Sequence, residues 1–255
     1  MKDFPLQTFY GDIHSTYDRV NRIFTFGRDR AWRRKAVVEL LRKQPDRVLD
    51  LCTGTGDFIL EAARKAGKDT VLTGYDFSPA MLELARDKFR QLSEHEQVAM
   101  VEFLEGDAGA MPFEEASFDA LGITFGIRNL IYKNSHASQH LREINRVLRP
   151  GGQLVILESS RPENVLWRLF NTIYLRFILP YLGGLISGNL KAYQYLASSS
   201  KNYYTIKEMG AILEMAGFEL SDSRSLFLGS VMLLVLEKKQ KEIVSLDHAD
   251  KEDED

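Results

Sequence analysis

Two groups of residues in this chain have the types and spacing to do chemistry. The first is Val48-Leu49-Asp50-Leu51-Cys52-Thr53-Gly54-Thr55-Gly56-Asp57, an apolar run ending in a glycine turn, with Asp76 about 20 residues beyond Gly56. A glycine turn alone is weak evidence, because tight turns need glycine for backbone reasons. An acidic residue at that distance, however, is the one that accepts ribose hydroxyls in nucleotide-binding folds. The third glycine that a pyrophosphate requires is missing, since Asp57 and Phe58 follow at once. Asp50 would repel phosphate yet suits an ammonium or a sulfonium. The turn therefore predicts a phosphate-free, positively charged nucleoside approached by Gly54, Thr55 and Gly56, with Asp50 and Asp76 as its carboxylates. The missing glycine disfavours a nicotinamide dinucleotide.

The second group is Phe125-Gly126-Ile127-Arg128-Asn129, which continues an apolar run from Phe118. A guanidinium at the end of a strand offers a fork of donors and a charge that does not titrate, which suits an oxyanion formed during a reaction. The other reading is an arginine paired with a carboxylate such as Glu158 to fix the loop, because buried charges are usually paired. Candidates for a general base are Tyr17, Asp18, Glu158 and His136. His136 lies in the polar stretch Asn134-Ser135-His136-Ala137-Ser138 and reads as a surface residue. No Cys or His spacing suggests a metal site.

The elements that must position these residues alternate. Residues 17–43 carry apolar positions at helical spacing. Strands are predicted at 47–52, 70–75, 101–104, 118–125, 153–158 and 231–236. Helices are predicted at 58–65, 79–92, 138–148 and 205–216. The second of these is opened by Ser78 as N-cap and Pro79 at the first helical position, and the third is stopped by Arg149-Pro150-Gly151-Gly152. Residues 217–220 turn into a further strand, with the last two strands forming an antiparallel pair. This order predicts an α/β fold, a doubly wound, mostly parallel sheet with its ligand site at the carboxyl ends of the strands.

The chain has 255 residues, 44% hydrophobic and 27% charged, enough for one large domain, read as residues 1–240. A net charge of −3 gives no field that would draw nucleic acid. The single cysteine, Cys52, cannot form an internal disulfide, and the N-terminus lacks the apolar core of a signal peptide, so a cytoplasmic protein is expected. Residues 241–255, which end in an acidic run, read as a disordered tail. The oligomeric state stays open, a homodimer among the options.

The Asp50-x-x-x-Gly54-x-Gly56 pattern resembles the S-adenosylmethionine motif of class I methyltransferases. Three further stretches narrow the resemblance: Tyr17-Asp18-Arg19-Val20-Asn21 with Trp32 downstream, the segment from Phe125 to Asn129, and Arg146 to Gly152 leading into Glu158-Ser159-Ser160. Together they are similar to the signatures of the ubiquinone/menaquinone biosynthesis C-methyltransferase family, over about Tyr17 to Tyr195. The resemblance implies a Rossmann-like, seven-stranded fold and S-adenosyl-L-methionine as cofactor, held by Asp50, Gly54, Thr55, Gly56 and Asp76. Asp107 and Ala108 would lie at the adenine and Thr124 beside the cofactor. It also implies Arg128, Asn129 and Tyr17 as catalytic residues toward a polyprenyl quinol, demethylmenaquinol ahead of the ubiquinone-pathway benzoquinol. Other readings are methylation of another small hydroxylated molecule, or a non-catalytic module that binds a nucleoside. The chain departs from the pattern at Thr25 and Asp29, where the family carries serine and histidine, and at Gly229-Ser230-Val231-Met232.

Residues 165–186 form an apolar insert with Trp167, Phe170, Tyr174, Phe177 and Tyr181, interrupted by Arg168, Arg176 and Pro180. It is too broken to span a bilayer. It reads either as an interfacial helix or lid giving peripheral membrane contact, or as an ordinary helical cap over the sheet.

Overall fold

The computed structural model describes residues 25–187 and 203–240, together with Asp18, Arg22, Ile23, Leu190 and Gln194. Expectations placed on Tyr17, on most of the Tyr193–Leu196 stretch and on the acidic tail lie outside the described residues.

Along the chain the elements run α1 (Asp29–Leu40), β1 (Arg47–Leu51), α2 (Asp57–Ala63), β2 (Val71–Asp76), α3 (Pro79–His95), β3 (Val101–Glu105), β4 (Phe118–Thr124), α4 (Ile127–Ile131), α5 (Ala137–Val147) and β5 (Leu148–Ser159). There follow α6 (Val165–Ile173), a π turn (Tyr174–Ile178), α7 (Leu179–Ser187), α8 (Ile206–Met215), β6 (Phe218–Leu226), a short turn (Phe227–Gly229) and β7 (Val231–Lys238). The strands form one seven-stranded sheet in the order β3-β2-β1-β4-β5-β7-β6. Pairings among the first five are parallel, and β7 runs antiparallel to both β5 and β6.

Helices cover both faces, so the central strands are buried on both sides and read as continuous apolar runs. On one face Trp32, Ala36, Val37 and Leu40 of α1 pack with Phe58 and Ile59 of α2 and Leu82 and Ala85 of α3. On the other, Ile127 and Ile131 of α4, Ile144 and Val147 of α5, and Met209 and Leu213 of α8 do the same. The caps follow the chemistry of their residues. Ser78 accepts from the Met81 amide with Pro79 behind it. Thr205 and Glu208 close a reciprocal capping box on α8.

Three boundaries differ from expectation. Arg128 and Asn129 belong to the short helix α4 rather than to a loop, because the left-handed Phe125 turns the chain at once after β4. Strand β5 begins at Leu148, but its partners on β4 jump from Phe118↔Leu148 to Ala120↔Gln153, so Arg149 to Gly152 bulge out of the ladder. The insert is two helices joined by a π turn; α6 has no buried residue, whereas Leu175 and Leu179 after it are buried.

One close approach sets the spacing of β1 and β4. Cys52, just past β1, has a left-handed backbone (φ 61°), as does Phe125 just past β4 (φ 56°). A Cβ on Gly126 would meet the Cys52 Cβ inside van der Waals contact, with its Sγ 3.1 Å away. Gly126→Ala is therefore expected to cost about 1–3 kcal/mol through overpacking. Cys52→Gly in the same chain should recover much of that loss, because it removes both the clash and a strained φ. Chemical denaturation of the two single variants and the double variant reads this as a positive coupling; additivity would refute the contact.

Candidate active site

Strand β1 lies between β2 and β4, so the chain order reverses beside it, and a crevice opens at the carboxyl ends. The cavity there measures about 220 Å³. Its walls come from four strand ends: Leu51 and Cys52 at the end of β1, Tyr75 and Asp76 on β2, Gly106 and Asp107 after β3, and Thr124 and Phe125 at β4.

The glycine turn approaches closely because its backbone is left-handed: Gly54 has φ 56° and Gly56 φ 82°, with Ala85 Cβ only 3.0 Å from where a Gly56 Cβ would stand. Gly54 and Thr55 line the cavity, while Gly56 lies behind them, opening α2. Asp76 is buried, its Oδ2 accepting from the Gly54 amide at 2.8 Å and its Oδ1 from the Ser78 amide at 3.0 Å. Each oxygen keeps a further lone pair for a ligand hydroxyl. Burial pushes the Asp76 carboxyl upward despite those amides.

Asp50 is fully buried and is not itself in the wall. It reaches the cavity through Thr53, whose hydroxyl donates to its Oδ2 at 2.6 Å. Its Oδ1 has no hydrogen-bond partner among the described residues. Burial pushes this carboxyl up to about 7, against the lowering effect of the Thr53 hydroxyl. An orphaned buried carboxylate oxygen beside a second carboxylate is a poor site for phosphate and fits a cationic nucleoside. The Cys52 thiol is pushed well up by burial and by the charges of Asp76, Asp50 and Glu158, so it stays protonated and is no nucleophile.

Asp107, Ala108, Thr124 and Asn129 line the cavity. Arg128 is not in the wall. It is buried beside Glu158: its amide donates to Glu158 Oε2 at 3.3 Å, its Nη1 to Ser159 Oγ at 3.3 Å, and Nη1 lies 4.0 Å from Glu158 Oε1. The pairing foreseen for this arginine is thus present. Tyr203 is fully buried with its ring 5.6 Å from that of Tyr132, which ends α4. Its hydroxyl has no partner among the described residues. Burial and then the Glu158 charge drive its ionisation far upward, so it can act only as a neutral donor or acceptor.

Of the base candidates, Glu158 is fully buried and accepts from both the Ser159 amide and hydroxyl, whereas His136 is exposed. Asp18 is held by Lys88 at 2.5 Å and accepts from Thr55 at 2.8 Å. Lys88 also reaches Asp57 at 2.6 Å. Burial alone would raise Asp57, but the Lys88 ammonium overrides it and holds the carboxyl low.

Among the wall residues that sequence reasoning missed are two that carry ionisable groups on helices, Arg33 and His140. Arg33 donates to Asp29 Oδ2 at 2.6 Å, and Asp29 Oδ1 accepts from Thr25 at 2.9 Å. The two departures at Thr25 and Asp29 therefore bond to each other and hold a guanidinium at the cavity, over the Phe125 ring. The i,i+4 spacing of Asp29 and Arg33 was the available signal. For His140 the signal was its place on the buried stripe with Ile144 and Val147.

The Asp50 shift has a definite pH consequence. Below 3.8 both folded and unfolded chains hold its proton, and between there and about 7 only the folded chain does. Rising pH thus erodes the ligand-free protein's stability across that window. A cationic ligand favours the ionised form, so S-adenosylmethionine should bind more tightly as pH rises toward 7, then level off. Calorimetry and thermal melts from about pH 5 to about pH 8 should show both trends, and Asp50→Asn should flatten them. A pH-independent affinity in the unaltered protein would refute the assignment.

Comparison with known proteins agrees with this geometry. The model of the ubiE/COQ5 methyltransferase family matches residues 1–237. The demethylmenaquinone methyltransferase of Thermus thermophilus is 42% identical over 211 residues, 83% of this chain and 91% of that protein. The ubiquinone/menaquinone biosynthesis C-methyltransferase UbiE of Geobacter sulfurreducens is 37% identical over 236 residues, 92% of this chain and 89% of that protein. Among solved structures, an S-adenosylmethionine-dependent methyltransferase from Methanosarcina mazei shares the fold, with a TM-score of 0.57 at 20% identity over 78% of this chain and 94% of that one. A sheet of this topology, a cavity that fits a cationic nucleoside and a family match along nearly its whole length lead to one conclusion: the chain belongs to the ubiE/COQ5 methyltransferase family and is an S-adenosylmethionine-dependent methyltransferase.

Proposed function

We propose that this methyltransferase places a methyl group on a ring carbon of a demethylated polyprenyl quinol, with demethylmenaquinol as its substrate. The observation that carries the reading is the 42% identity to a protein named for that activity. The ubiquinone-pathway benzoquinol is the second reading, because the Geobacter relative's name covers both pathways.

Bound S-adenosylmethionine supplies an electrophilic methyl on a sulfonium. The chain has to orient the acceptor carbon in line with it and make that carbon nucleophilic. A quinol carbon gains nucleophilicity when a neighbouring hydroxyl loses its proton and the charge spreads into the ring. Arg128 is the group suited to meet that charge, turning from Ser159 toward the cavity edge where Asn129 already stands. The Tyr203 hydroxyl is then a donor in reserve for Glu158. Tyr17 remains the catalytic candidate outside the described residues.

The insert supports a lipid-borne substrate. Leu166, Phe170, Tyr181 and Leu185 are each at least 60% exposed, with Arg168 and Arg176 exposed among them, a pattern suited to the boundary of headgroups and acyl chains. No helix among the described residues is long and apolar enough to cross a membrane. Trp167 does not belong to this exposed face: its indole donates to Ser230 at 2.8 Å and its ring packs on Phe227, so it anchors the insert to the sheet. The reading places the protein in the cytoplasm, peripheral on the inner face of the membrane.

Incubation with S-adenosylmethionine and reduced short-chain demethylmenaquinone, beside the corresponding benzoquinol, should give a product heavier by one methylene from the naphthoquinol. Arg128→Ala should lower turnover by about 100-fold or more while leaving cofactor affinity within about twofold. Methylation of the benzoquinol alone would transfer the reading to the other pathway, and loss of cofactor binding in the variant would make Arg128 a structural residue. In vesicle flotation with anionic lipid the unaltered protein should rise with the vesicles, and the Leu166→Glu/Phe170→Glu double variant should stay at the bottom. Equal behaviour of the two would remove the membrane contact.

A further inference from the structure

The exposed apolar surface does not end with the insert. Phe26, in the turn before α1, is 69% exposed, and its ring lies 6.4 Å from that of Tyr174 in the π turn. Ile23 is exposed beside it. The turn has a fixed shape: the amides of Phe26, Gly27 and Arg28 donate to the carbonyls of Ile23, Arg22 and Thr25, and Phe26 and Gly27 are left-handed. Thr25 and Asp29 are drawn inward toward Arg33. The large side chains shown to solvent here are therefore Ile23 and Phe26 with three exposed arginines, Arg22, Arg28 and Arg30.

None of the three lies within salt-bridge distance of a carboxylate among the described residues, and the same holds for Arg168 and Arg176 of the insert. Arg28 rests over the Phe227 ring at 5.7 Å, which leaves its charge in place. Arg22 is close enough to Asp57 to lower it, but that carboxylate is held by Lys88 at 2.6 Å. Farther from the insert the pattern changes: Arg34 and Lys65 share Glu61, and Arg64 bonds Glu96. In a chain of net charge −3 the arginines that lack a carboxylate thus include those ringing the apolar surface. Guanidinium forks match phosphate oxygens, and large apolar side chains among them match the layer beneath a headgroup. A nucleic acid offers the phosphates but no acyl layer for Phe26, Leu166 and Phe170.

We propose that the turn at residues 25–28, with Arg22 and Arg30, is a second membrane contact that recognises the anionic phosphate headgroups of the lipid surface, while the insert supplies the face that enters the acyl layer. The inference rests on the membrane contact of the insert and is independent of which quinol is methylated.

Flotation of the full chain, without cofactor or quinol, tests it with pure phosphatidylcholine vesicles and with mixed phosphatidylcholine–phosphatidylglycerol vesicles. The unaltered protein should prefer the mixed vesicles by about 100-fold, at about fivefold for each arginine that reaches the surface, and the preference should shrink as salt is raised. Arg22→Gln/Arg30→Gln should lose about 25-fold of that preference. Its partition into phosphatidylcholine and its affinity for S-adenosylhomocysteine should stay within about twofold. Leu166→Glu/Phe170→Glu should lose both vesicle types. Equal partition of the unaltered protein into the two vesicles, or an unchanged preference in the arginine variant, overturns the proposal and leaves the contact of the insert standing. Loss of phosphatidylcholine partition or of S-adenosylhomocysteine affinity in the arginine variant marks the turn as structural and overturns it equally. If the unaltered protein enters neither vesicle, the membrane contact of the insert falls, and this inference with it.

Discussion

The close approach of the β1 and β4 ends governs the rest of the molecule. Only a residue without a Cβ can stand at position 126 against Cys52, and the chain leaves both strands through left-handed residues, Cys52 and Phe125. These turns direct the backbone away from the sheet on either side and open the crevice between the two strand ends. Such strain at an element's end is tolerated when the surrounding core over-determines it. Here Leu51, Ile123, Leu121 and Ile127 are almost completely buried around it. The turn at Phe125 leads straight into α4, which carries Asn129 into the wall and Arg128 against Glu158.

Electrostatics complete the site. The ligand-free cavity is backed by two carboxylates whose burial raises them, Asp50 and Asp76, and neither lies within salt-bridge distance of a cation among the described residues. Their charge is costly until a cation arrives, which couples the protonation of the fold to cofactor binding. At its edges carboxylates already have cations beside them, Lys88 between Asp18 and Asp57 and Arg33 on Asp29. The contrast is between carboxylates matched inside the protein and those left to be matched by a ligand. Asp50 and Asp76 are of the second kind, whereas Glu158, buried as deeply as Asp50, has Arg128 beside it.

The insert follows a different logic from the rest of the chain. Its α6 leaves every residue at least partly exposed, although it is among the most apolar segments. It is fastened instead by Trp167 on Ser230 and Phe227 and by the Phe26–Tyr174 ring contact. The Phe227–Gly229 turn to which it is tied is left-handed throughout, and the Ser230 carbonyl next to it accepts from the Ser160 amide. The insert is thus fixed at points beside the end of β5, where Glu158 and Ser159 lie.

Much of this was legible in the sequence because it depends on local rules. Strand and helix periodicity, the Ser78-Pro79 helix start and the Asp50-to-Gly56 turn are determined by residues close together in the chain, so fold and cofactor class could be read before any coordinates. What only the tertiary structure decided involves residues far apart or backbone forced by packing. Arg128 lies behind the wall rather than in it, because its helix docks against Glu158, thirty residues away. Thr25 and Asp29, which read as departures from a pattern, are joined to Arg33 in a cavity that no single helix could reveal. His140 looks like one more apolar-face residue until β3 brings Asp107 opposite it. Side-chain type and local spacing belong to the sequence, but whether a charge is buried, paired or left facing a cavity depends on which distant strand end stands beside it.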